Sequence, residues 1–147
     1  FYLLEDISGE IPRPRTGRVP GSERRPVGPR AYSLEDLHDL DGFFAQVESA
    51  AAAQHVPAGA IVSEYGAGQF EVNLHHEKDA LAACDHAILL RRLVRGIARQ
   101  QGLAATFMAK PFRDLDGSGM HVHFSLLDES GRNVFGPAPP AATPDAL

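Results

Sequence analysis

The sequence predicts an α+β fold, an antiparallel sheet backed by helices, and three observations carry the prediction. Residues 59–65, 69–76, 104–109 and 119–126 carry apolar residues at strand spacing, several of them in strict alternation. Two longer segments, 33–56 and 78–101, carry them at helical spacing. A glycine connection, residues 66–68, joins two of the strands closely enough for a hairpin, and tight hairpins mean antiparallel neighbours.

Taken in order, residues 1–4, FYLL, read as the end of a strand. Residues 9–31 then hold five of the 11 prolines and six arginines, Arg13, Arg15, Arg18, Arg24, Arg25 and Arg30. Prolines at this density remove backbone donors and forbid regular ladders, so this stretch is expected to be an irregular, solvated loop. An anion-binding or subunit-contacting arm is the alternative. Ser33 can cap a helix through Asp36, and Phe43, Phe44, Val47 and Ala51 form a 3.6-period stripe that stops before Pro57. Residues 78–101 form the longest periodic segment. Leu81, Cys84, Ile88, Val94 and Ala98 are available for burial, the arginines at 91, 92, 95 and 99 face out, and Gly102 ends it. Residues 128–133 read as a turn before Val134 and Phe135, and residues 136–147 as a Pro/Ala-rich tail, a linker or a severed connection.

At 147 residues, 44% hydrophobic and 22% charged, the composition suits one domain with a real core. A net charge of -5 and the lack of a basic stripe interleaved with aromatics argue against nucleic acid as a partner. Cys84 is the only cysteine, which excludes an intrachain disulfide and a thiolate-rich zinc site and points to a reducing, cytoplasmic setting. No apolar run approaches the roughly 20 residues that span a bilayer, so no membrane association is expected.

Chemistry concentrates in two places. In residues 69–76, Phe70, Val72 and Leu74 alternate with Gln69, Glu71, Asn73 and His75, which sets Glu71 on a polar face, with Glu64 within cross-strand reach if the hairpin closes. In residues 110–125, KPFRDLDGSGMHVHFS, a glycine-punctuated acidic loop enters a strand. Gly119, His121, His123 and Ser125 fall on one face there, and Met120, Val122, Phe124 and Leu126 on the other. Glu64, Glu71 and His121 would supply two oxygens and one nitrogen, a set suited to Mg²⁺ or Mn²⁺. The plain alternatives are an exposed hairpin face and hydrogen-bonded strand histidines.

EYGAGQFEVN, a helix of the right length, ATFMAKPF and GSGMHVHFSLLDESGRNVF, in that order, resemble the catalytic domain of the glutamine synthetase family, closely across residues 59–135 and more loosely before. The resemblance implies a partial catalytic domain over residues 1–147 and an ATP-dependent ligase. Such a ligase phosphorylates the glutamate γ-carboxylate and passes it to ammonia or a small amine by way of γ-glutamyl phosphate. It implies metal ligation by Glu64, Glu71 and His121, a nucleotide site lined by His123, Phe124 and Ser125, and substrate contacts at Asp116 and Gly117. It also implies ATP and Mg²⁺ (or Mn²⁺) as cofactors and a homo-oligomeric parent. Asp116 stands where many members have Asn, and the extra acid suits a cationic acceptor of the γ-glutamyl-polyamine branch. The family's Glu-x-Glu strand before FYLL, its later metal glutamate and its phosphate-clamping arginines have no counterpart in these residues. The chain is therefore expected to be a fragment, inactive alone; the alternative is a truncated, non-catalytic metal- or nucleotide-binding module.

Overall fold

The computed structural model describes residues 1–5, 12–19, 21–22, 24–25, 28 and 31–137. Among these residues eight elements run β1 (Tyr2–Glu5), β2 (Arg13–Pro14), α1 (Leu34–Asp39), α2 (Asp41–Ala53), β3 (Ala58–Ser63), β4 (Phe70–Leu74), α3 (Ala80–Gln100) and β5 (Ala104–Thr106). Among the described residues all strand pairs are antiparallel, as expected of an α+β chain.

Strand β1 is central. One of its edges takes β5, with Tyr2, Leu3 and Leu4 opposite Thr106, Ala105 and Ala104. Its other edge is shared. Leu4 and Glu5 pair with Pro14 and Arg13, while the start of β1 is stitched to the β3–β4 hairpin. The stitches are a Tyr2–Gln69 bridge, a Leu3 N–H donating to Gly68 O at 3.0 Å and a Phe70 N–H donating to Phe1 O at 2.9 Å. Residues 13–15 therefore form an ordered edge where an irregular loop was expected. Pro14 is tolerated because an edge strand has donors to spare. Arg15 is held there by Leu3 O, which accepts its backbone N–H at 2.7 Å, and by an ion pair to Asp39 at 2.9 Å. The expected Pro/Ala tail falls, apart from Gly136 and Pro137, outside the described residues.

The helices cover one face of this sheet. Phe43, Phe44, Val47 and Ala51 of α2, Leu90, Val94, Ile97 and Ala98 of α3, and Leu3, Phe70 and Ala105 of the strands form one buried cluster. Burial of apolar surface on this scale is the main term that holds such a layer together. Ser33 caps α1, accepting from the Asp36 N–H at 3.3 Å. The single expected helix breaks at Leu40, which turns out of helical geometry (φ -116°, ψ 16°) and is buried. The break lets Leu37 and Leu40 reach the core together with the stripe on α2, which one straight rod could not do.

Two expectations are corrected here. Leu81, Cys84 and Ile88, expected in the core, are exposed. Helix α3 has 21 residues, about 30 Å of rod, and β5, the strand it packs against, has only three, so only its second half has a floor. Residues 119–126 form no strand either, and Met120, Val122, Phe124 and Leu126 are exposed. Alternation specifies two faces only when a neighbouring strand supplies hydrogen bonds, and none of the described strands pairs with residues 119–126. The first pairing in this region is Leu127 with Asn133, which closes the expected turn. Asp128 holds that turn, accepting from the Ser130 hydroxyl at 2.6 Å and from the Ser130 and Arg132 N–H groups at 2.9 and 3.0 Å, and these donors, the hydroxyl first, keep its carboxyl below the usual range.

Candidate active site

The site is built on the helix-free face of the β3–β4 hairpin. Val62 lies opposite Glu71 and Ser63 opposite Phe70, and the Glu64 N–H donates to Gln69 O at 2.8 Å. With side chains alternating, Ser63 and Phe70 point into the core, while Glu64, Val62, Gln69 and Glu71 share the outer face. Glu64 and Glu71 are diagonal neighbours there, as the sequence pattern required. Both are partly buried. Burial, then the hydrogen bond and negative charge of Glu71, push the Glu64 carboxyl above its ordinary value.

The turn between the carboxylates is tight for identifiable reasons. Gly68 sits at φ +77°, and a Cβ there would lie 2.9 Å from Arg15 O and from Pro14 Cβ. A Cβ on Gly66 would strike the Tyr2 hydroxyl. Gln69 closes the turn from both ends, its N–H donating to Gly66 O at 2.8 Å and its Oε1 accepting from the Gly66 N–H at 3.1 Å.

The same side chain reaches the second candidate region. Gln69 Nε2 donates to Gly117 O at 2.9 Å and to Ser118 Oγ at 3.2 Å, and the Tyr2 hydroxyl donates to Asp116 O at 2.6 Å. Burial, with Asp116 adding to it, raises the Tyr2 phenol above its ordinary value and keeps it a donor. Residues 109–118 form a closed loop. The Ser118 N–H donates to Ala109 O at 2.7 Å, Lys110 Nζ donates to Leu115 O, and the Phe112 ring packs edge-on against Tyr2 at 5.4 Å. Asp116 and Gly117 are thus held beside the hairpin that carries Glu64 and Glu71.

The remaining expected residues are placed elsewhere. His121 is exposed, with its ring folded back over Gly119, and among the described residues no three of His, Cys, Asp and Glu come close enough to hold a metal ion. The structure brings together the two oxygen donors of the expected set and leaves out the nitrogen donor. His123 and Phe124 are exposed, and Ser125 Oγ lies 3.0 Å from His76 Nε2, beyond the end of β4. Tyr2 and Gln69 were not singled out by the sequence. Gln69 sits in the quoted GQFE motif, and a polar residue next to a glycine turn was the one available signal.

A divalent cation fits the Glu64 and Glu71 pair chemically, since two carboxylates on one face that already repel each other are relieved by a shared hard cation. A complete coordination set is not assembled by these residues as placed.

Comparison with known proteins identifies the family. Residues 1–142 match the glutamine synthetase catalytic domain. The chain is 39% identical over 141 residues to the gamma-glutamylputrescine synthetase PuuA of Escherichia coli K12, covering 94% of this chain and 29% of that protein. It is 34% identical over 135 residues to a glutamate–isopropylamine ligase of a Pseudomonas species, covering 92% and 28%. A solved GmaS/ADP complex superposes with a TM-score of 0.75 at 26% identity, over 95% of this chain and 30% of that one. The chain thus spans less than a third of the length of these relatives. On the matched domain and the identities together, the chain belongs to the glutamine synthetase catalytic-domain family.

Proposed function

We propose that these residues form part of an ATP-dependent carboxylate–amine ligase, which joins the γ-carboxylate of glutamate to a small amine or ammonia through γ-glutamyl phosphate. The observation that carries the reading is the pair Glu64 and Glu71 on a hairpin tied directly to the 116–118 loop, in a chain whose relatives are named for ligating glutamate to amines. Glu64 and Glu71 would hold a divalent cation, Mg²⁺ or Mn²⁺, which when bound neutralises charge on a transferring phosphate. Gly117 would present its backbone to glutamate, and Asp116 would favour a protonated amine acceptor. His121 would serve as a second cation's ligand, and His123, Phe124 and Ser125 would line the ATP site. Both roles require residues 119–126 to take a different placement from the exposed one they have here. The enzyme is proposed to be a cytoplasmic homo-oligomer acting on small molecules; among the described residues no helix is long and apolar enough to cross a membrane.

The test is ADP release by the polypeptide as its gene encodes it, with glutamate and a panel of ammonia, methylamine, isopropylamine and putrescine. Release should need both glutamate and an amine, and Glu71→Gln should lower it by about 10–100-fold or more. Mn²⁺ binding without ADP release for any amine would overturn the ligase and leave a non-catalytic metal-binding module.

A further inference from the structure

The helical layer carries two charged surfaces that the carboxylate hairpin does not use. On α3, Arg92, Arg95 and Arg99 follow one another at three and four residues and so share one face, with Arg91 at its edge. All four are exposed, and among the described residues none of them forms an ion pair. Like charges at this spacing repel along the helix, and an acidic surface laid against them relieves the repulsion. A groove between α1, α2 and β3 supplies such a surface. It has a volume of about 450 Å³ and a floor of Leu34, Leu37, Phe44 and Ile61, with Asp41 and Glu48 at its edge. Both carboxylates are exposed and likewise form no ion pair among the described residues, and Leu34 is 72% exposed.

The two surfaces match in sign and in spacing. Asp41 and Glu48 stand seven residues apart on α2, and Arg92 and Arg99 stand seven apart on α3, about 10.5 Å of helix in each case. Arginine suits such a groove, because its methylene stem can lie on an apolar floor while the guanidinium reaches a carboxylate. Within one chain the surfaces do not meet. Helix α2 packs over β3, the side that holds the groove, and α3 packs over β5 on the other side of α2. A two-fold axis along α2 sets the arginine stripe of each copy on the groove of the other, so both contacts form at once. We infer that the partner of this surface is a second copy of this chain, with Arg92, Arg95 and Arg99 of one copy in the α1–α2 groove of the other, their guanidinium groups on Asp41 and Glu48. The inference gives a surface to the homo-oligomer of the proposed function and does not rest on the ligase chemistry.

The experiment is sedimentation velocity of the 147-residue chain from about 1 to about 100 μM, in reducing buffer because Cys84 is exposed. The 15.8 kDa chain should give way to a species of twice that mass as concentration rises. Arg92→Glu with Arg99→Glu, and Asp41→Lys with Glu48→Lys, should each raise the dissociation constant about tenfold or more, since each sets like charges against one another. All four positions are exposed, so the fold should hold, with circular dichroism as the check. Asp41 opens α2, where a lysine opposes the helix dipole, so Glu48→Lys alone is the second acidic variant and should still weaken the dimer about threefold or more. The chain with all four substitutions keeps its net charge and should dimerise again, because the two surfaces have exchanged signs. An unmodified chain that stays monomeric, a reversed chain that dimerises as the unmodified one does, or a folded four-substitution chain that stays monomeric overturns the inference. Loss of the dimer on reversing the arginines, with the acidic reversals silent, also overturns it and puts a different acidic surface on α3. A monomeric result leaves the ADP-release test standing, and failure of that test leaves the dimer standing.

Discussion

Replacing Glu71 with Gln should make the fold more stable and the site weaker, and both effects can be sized. Glu71 is diagonal to Glu64 across the β3–β4 register. Like charges facing across a strand pair cost roughly 0.2–1 kcal/mol, so a neutral side chain of the same shape should add about 0.5 kcal/mol at neutral pH. The pH dependence follows from the Glu64 carboxyl, held above its ordinary value near 4.5 by burial first and Glu71 second. The folded state then binds the Glu64 proton more tightly than the unfolded chain does. Its contribution to stability is fully present below the ordinary value and is lost as pH rises through the raised folded value. The unmodified chain should lose stability across that window, and Glu71→Gln should lose less. Mn²⁺ at about 100 times its dissociation constant should add about 2.7 kcal/mol to the unmodified chain. In a domain of this size that is a rise of about 5–10 °C in Tm. Urea unfolding and thermal melts between about pH 4 and pH 7, with and without Mn²⁺, measure all of this. A Glu71→Gln chain that is less stable at neutral pH, or that keeps the full Mn²⁺ shift, would refute the reasoning.

Three further outcomes test the scaffold beneath the site. Phe44→Ala should cost about 3–5 kcal/mol in urea unfolding, since the ring is buried and packs 5.1 Å from Phe70, one residue from Glu71; a loss under about 1 kcal/mol would mean the hairpin does not rest on α2. Gly68→Ala and Gly102→Ala separate backbone strain from collision, because both glycines have positive φ but only Gly68 has atoms where the methyl would go. Each should lose about 1 kcal/mol to strain, and Gly68→Ala should lose clearly more; equal losses would contradict the close approach of β2. Asp79→Ala should cost about 1 kcal/mol, because Asp79 accepts the Leu81 and Ala82 N–H groups at 2.8 and 3.4 Å, and circular dichroism should show the first turn of α3 fraying.

Much of this was legible in the residue pattern, for local reasons. The stripe at Phe43, Phe44, Val47 and Ala51, the cap at Ser33, the stop at Gly102 and the hairpin around residues 66–68 each depend on a few neighbouring residues. Helical and strand periods, caps and positive-φ glycines act over that range. The convergence of Glu64 and Glu71 was legible for the same reason, since a closed hairpin fixes its own diagonals. Alternation at 119–126 was equally clear, and no neighbouring strand is there to convert it into two faces.

What the tertiary structure alone decided depends on contacts far apart in the chain. The helix breaks at Leu40 because α1 and α2 must both reach one core, and only the second half of α3 is buried because β5, three residues long, ends beneath it. Arg15 leaves the proline-rich stretch to pair with Asp39. Tyr2 meets Asp116 across 114 residues and Gln69 meets Gly117 across 48, joining the carboxylate hairpin to the loop beside it. No period in a sequence encodes such pairings, since they are chosen by which surfaces remain to be covered once the local elements have formed.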